Sequence, residues 1–117
     1  MKPIFDRHGR TTAWLDRENI FQLNGTHAAV LHGKNVHGHR GQHLGMFDDG
    51  LFRDHRGAAV AFVAGASGGP LLPLTSIPPL EPIPALAPLP SIPSIPPIPA
   101  IASLGWSSAT WTQFVNG

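Results

Sequence analysis

The sequence predicts an all-β fold: four tandem 16-residue β-hairpin repeats forming a small closed or ring-like antiparallel sheet of eight short strands, followed by a polyproline II rod and a short C-terminal helix. Three observations carry this reading. Gly9, Gly25, Gly41 and Gly57 stand sixteen residues apart each time. Rows of apolar residues run in phase with them: Ile4, Ile20, Val36 and Phe52 before the glycine, then Trp14, Val30, Met46 and Phe62 after it. Prolines are absent from this part after Pro3, and twelve of the thirteen lie beyond Gly69. Tandem copies of one supersecondary unit, none stable alone, are the natural interpretation.

Each copy reads as a hairpin. Asp6-Arg-His-Gly9 and Asp54-His-Arg-Gly57 place Asp at the start and Gly at the end of a type I turn that closes with a left-handed residue. Asn24-Gly25 is the strongest short hairpin signal in the chain. The four register glycines are therefore assigned to structural turns with positive φ. Return strands such as Thr11–Asp16 lead to second turns at Asp16–Asn19, His32–Asn35, Asp48–Gly50 and Gly65. The row Ala13, Ala29, Gly45 and Ala61 is small in every copy, as four units converging on an axis require. Closure also removes the unpaired edges that a meander would expose.

Charge and proline segregate. Every charged residue except Glu81 precedes Gly57, which sets residues 1–67 apart as a four-repeat β domain. Residues 68–104 form a glycine linker and a proline-rich rod, and residues 105–117 an aromatic docking tail. In the rod, Leu71, Leu74, Ile77, Leu80, Ile83, Leu86, Leu89, Ile92, Ile95, Ile98, Ile101 and Leu104 recur every third residue without a break. Polyproline II has three residues per turn, so these aliphatics make one straight stripe about 100 Å long. Burial of such a stripe is strongly favourable, at about 1.5–3 kcal/mol per side chain, and other rods are the expected cover. The tail predicts a helix capped by Ser108, with Trp111, Phe114 and Val115 on one face and Trp106 just ahead. The stripe together with Trp106, Trp111 and Phe114 forms the candidate interface.

Chemistry is sparse. Seven histidines invite a metal reading, and His27, His37, His39 and His43 are its candidate ligands. His37 and His39 share a strand face, and His27 and His43 occupy equivalent positions in neighbouring repeats. Two of four copies carrying a ligand is too few for a tetrahedral ion, so no metal and no cofactor are expected. No nucleophile stands at a meaningful spacing from a base, and the glycine-rich junction lacks a phosphate-loop lysine. A formal charge of +1 gives no case for nucleic acid. There is no cysteine and no apolar run long enough to span a membrane, and the opening residues do not read as a signal peptide. A cytoplasmic location is the expectation.

The opening Met1-Lys-Pro-Ile-Phe-Asp-Arg-His-Gly-Arg10, the repeat Phe52-Arg-Asp-His-Arg-Gly57, the junction Gly65-Ala-Ser-Gly-Gly-Pro70 and the tryptophan-bearing tail resemble the bacterial four-fold beta flower family. The resemblance implies four β units about an axis. It brings no established activity and no catalytic residues. The expected function is that of a non-enzymatic assembly protein, a homo-oligomer built through rod and tail, or docked by them onto the β domain. Another protein could also read the rod, although the SH3 or WW motifs lack their flanking basic residue. The alternative is a binding module whose axial pocket takes a small molecule or lipid head group beneath a lid of rod and tail.

Overall fold

A computed structural model describes residues 1–88 and 91–117. Leu89, one member of the predicted stripe, lies outside the described residues. Eight strands follow one another round a closed antiparallel barrel: β1 (Lys2–Phe5), β2 (Thr11–Asp16), β3 (Asn19–Gln22), β4 (His27–His32), β5 (Asn35–His37), β6 (His43–Asp48), β7 (Leu51–Arg53) and β8 (Ala59–Phe62). Pairing of Phe5 with Phe62 closes the ring. The four repeats superpose in register, because Trp14↔Phe21, Val30↔His37, Met46↔Arg53 and Phe62↔Phe5 are equivalent cross-strand pairs.

The inner face follows from the period-two alternation of strands. Ile4, Ile20, Val36 and Phe52 point to the axis and are 0% exposed, as are Ala13, Ala29 and Ala61. Eight strands enclose a space that side chains just fill, and these two rows fill it. Gly45 takes the fourth place in the small row because a side chain there would strike the Phe114 ring and the Arg53 backbone.

All four glycine turns share one geometry. Gly9 N–H donates to Asp6 O (3.0 Å), Gly25 to Gln22 (2.9 Å), Gly41 to Gly38 (3.0 Å) and Gly57 to Asp54 (3.0 Å). Their φ values of 80, 90, 78 and 82° lie in the left-handed region, as the turn assignment requires. Asn24-Gly25 closes the same three-residue loop as the others; Asn24 Oδ1 accepts from the Thr26 N–H at 3.0 Å.

The proline-rich segment is a girdle rather than a straight rod. Ser76 N–H donates to Gly9 O, Ala85 to Gly25, Ser94 to Gly41 and Ser103 to Gly57, at 2.7–3.0 Å. Nine residues of girdle therefore match sixteen residues of barrel. The 27 residues from Ser76 to Ser103 span about 84 Å at about 3.1 Å each. That is three quarters of the way round a disc 36 Å across, and the molecule measures 36 × 36 × 20 Å. The predicted 100 Å straight extension is corrected accordingly. Polyproline II makes no internal hydrogen bonds, so its few N–H groups are free to dock on the barrel.

Candidate functional site

Docking of the girdle decides which way its stripe faces. Nine is a multiple of three, so every docking N–H lies in the same register of the polyproline helix. The Leu74, Ile83, Ile92 and Ile101 carbonyls lie against the four turn glycines, and a Cβ at any of them would collide with that backbone. On the outer wall of the barrel Phe5, Trp14, Phe21 and Phe62 are buried, and Pro70, Pro73, Pro82 and Ser103 of the girdle are half-buried. The aliphatic side chains point outward. Ten of them, from Leu71 to Ile101, are 91–96% exposed, and Leu104 is 74% exposed. The result, among the described residues, is an apolar rim with four-fold repetition. Its one charge, the carboxylate of Glu81, is paired with the Met1 ammonium at 3.1 Å.

Arg53 joins the two ends of the girdle. Its guanidinium is buried and donates to Gly57 O (2.6 Å), Ser103 O (2.7 Å) and Gly68 O (2.9 Å). Gly68 lies at the start of the segment and Ser103 at its end. A planar fork of five donors suits three carbonyls arranged in this way. In the equivalent place one repeat earlier, the His37 Nδ1–H donates to Gly41 O at 3.1 Å.

Histidines gather on the wall of β4–β6 in two equivalent pairs. His27 Nδ1 and His39 Nε2 are 2.8 Å apart, and Asn19 Oδ1 accepts from His27 Nε2 at 2.9 Å. One repeat on, His43 Nδ1 meets His55 Nε2 at 2.9 Å, and Asn35 Oδ1 accepts from His43 Nε2 at 3.0 Å. The rings stack, with centroids 5.0 and 5.1 Å apart. Since the Asn oxygen fixes Nε2 as a donor, neutral His27 and His43 accept at Nδ1 from their partners. Burial, then the charge of His39, holds the His27 pKa below its usual value; burial, then His55 and His37, does the same for His43.

Over residues 2–115 the chain matches the family described as 4-fold beta flower protein. The chain belongs to that family. No curated protein and no solved structure matches it. The name fits the geometry: four hairpins are the petals, and the girdle binds them at their glycine turns.

Within the beta flower, the sequence-derived metal candidates fall into different places. His27 joins His39, while His43 joins His55, so the equivalent histidines 27 and 43 do not meet. Equivalent positions on a four-fold ring stand a quarter turn apart, whereas a turn residue reaches the neighbouring strand. His37 is buried between His32 and His43, edge-on to both. Among the described residues, no three His, Asp or Glu side chains gather in a metal-binding arrangement.

The tail closes one mouth of the barrel. Trp106 makes a parallel bridge to Ala59, and Ser107 Oγ donates to Asp54 Oδ2 at 2.5 Å. The helix α1 (Trp111–Asn116) is capped by Thr110 and not by Ser108. Thr110 Oγ1 accepts from Gln113 N–H (3.2 Å), and Gln113 Oε1 accepts from Thr110 N–H (2.9 Å), a reciprocal arrangement that Ser108 cannot make. Trp111, Phe114 and Val115 are buried, and Phe52 meets Trp111 edge-on at 5.2 Å. The axial space in which a ligand was the alternative expectation thus holds Phe52 and the helix. Trp111 and Phe114 pack on their own barrel, which takes them out of the outward-facing surface. Among the described residues, no helix is long and apolar enough to cross a membrane.

Proposed function

We propose that this protein is a non-enzymatic assembly module that associates with further copies of itself through the aliphatic rim of its girdle. One observation supports the reading above all: among the described residues, eleven Leu and Ile side chains of the stripe stand exposed. Soluble monomers rarely expose apolar patches of more than a few hundred Å², and larger ones mark association surfaces. Proline restriction of the girdle lowers the entropy lost on association.

A second copy suits the rim for two reasons. Consecutive stripe residues lie about 9 Å apart along a polyproline helix, which leaves gaps wide enough for the aliphatics of another stripe. No unpaired charge on the stripe opposes that approach, because Glu81 is already matched. Each quarter of the disc presents three stripe positions. Three side chains from each copy, at about 60–120 Å² apiece, bury about 400–700 Å². A stable pairwise interface needs about 1,200 Å² or more. A single edge is therefore weak, and association builds through several edges at once.

Light scattering over a range of concentrations tests the reading. The expected mass exceeds the 12.5 kDa of one chain and rises with concentration. A mass of 12.5 kDa at every concentration overturns it.

A further inference from the structure

A cavity of about 130 Å³ lies between the girdle and the barrel wall beside Val30 and His37. Its origin is visible in the quasi-symmetry. The wall beneath the girdle carries four equivalent cross-strand pairs, and two of them, Trp14/Phe21 and Phe62/Phe5, are aromatic and buried. Met46/Arg53 places two long side chains at the same level. Val30/His37 is the smallest of the four. The girdle is smaller there as well: Ala87 lines the cavity, and nine residues before and after it stand Pro78 and Pro96. Wall and girdle are both reduced at one place, and a slot remains where the neighbouring quarter holds an indole.

We infer that this slot binds a neutral single-ring aromatic carrying one hydroxyl or N–H donor, of which phenol is the simplest. Size sets the ring: a cavity of about 150 Å³ takes benzene, so one six-membered ring fits and a fused pair does not. Two observations set the polarity. No Asp, Glu, Lys or Arg lines the cavity, so an ionised ligand finds no counter-charge. His37 is 2% exposed, and its Nδ1–H is committed to Gly41 O, which leaves Nε2 as a hydrogen-bond acceptor in the neutral ring. That nitrogen makes no side-chain hydrogen bond among the described residues and is not sealed off, so a donor on a ligand in the cavity can bond to it. Exposed His32 and His39 stand at the edge of the slot and leave a way in.

Titration of the full chain with phenol, followed by NMR, tests the inference. Saturable one-to-one binding with a Kd of about 1 mM is expected for so few atoms, with perturbations centred on Val30, His37 and Ala87. Benzene, which lacks the donor, should bind about tenfold more weakly; benzoate should not saturate. Val30→Trp restores the arrangement of the neighbouring quarter and Ala87→Pro that of the neighbouring girdle, so each should abolish binding. His37→Phe should leave phenol and benzene equal. Perturbations centred elsewhere on the parent overturn the inference, even if both filling variants fail to fold. Binding undiminished in a folded Val30→Trp or Ala87→Pro chain, or no saturation at all, does the same.

Discussion

Ile4 and Ile92 are the same side chain at opposite extremes: one is 0% exposed on the barrel axis, the other 91% exposed on the girdle. Their backbones explain the difference. A strand turns alternate residues to opposite faces, so its inner row is buried as soon as the ring closes. A polyproline helix has three faces and no hydrogen bonds of its own. Docking engages the backbone through the free N–H groups, and the aliphatic face is left to solvent. Apolar residues in the barrel are therefore needed for folding, whereas those in the girdle are available for something else. Burial, more than hydrophobicity, separates the side chains that hold the barrel together from those left at the surface.

The comparison is broken most severely by matched truncations. Phe52→Ala removes the largest side chain on the axis and the partner of Trp111, and should cost about 3–5 kcal/mol. Ile95→Ala, on the rim, should change the stability of a dilute monomer by less than about 0.5 kcal/mol. Urea denaturation of both variants at low concentration measures the pair.

How much of this was legible in the sequence depends on which period is followed. The 16-residue register gave the hairpins, the positive-φ glycines and the closed ring, because each of those is set by residues local to one repeat. The three-residue stripe was legible too, but its direction was not. That direction depends on a nine-residue period: the non-proline positions Ser76, Ala85, Ser94 and Ser103, which supply the docking N–H groups. Small residues at those positions are the signal that could have revealed it. The histidine pairs were missed because rows of sixteen align His27 with His43, while contact follows a spacing of twelve, from His27 to His39 and from His43 to His55. Asn19 and Asn35, each eight residues ahead, mark the same pairs. Arg53 could have been noticed as the one charged member of the row Phe5, Phe21, His37 and Arg53.

A smaller effect distinguishes the histidine wall from the barrel axis, which has nothing to titrate. His27 and His43 have folded-state pKa values below the ordinary histidine value of about 6.5. As pH falls through 6.5, the unfolded chain takes up protons that the folded chain does not, so stability declines until the folded values are reached. Above pH 7 the melting temperature should be flat. The double variant His27→Gln/His43→Gln should reduce the slope below pH 6.5, as thermal melts from pH 5 to 8 would show.

The rim itself offers the most direct measurement. Ile92→Ser/Ile95→Ser/Ile98→Ser removes three stripe side chains that are 91–95% exposed within their own chain, and Thr75→Asp changes an exposed position off the stripe. Sedimentation velocity on the two variants and the parent should show the Ile variant reduced to the 12.5 kDa monomer, with the other variant still associated like the parent. An Ile variant that sediments with the parent's mass would contradict the claim that the outward stripe holds copies together.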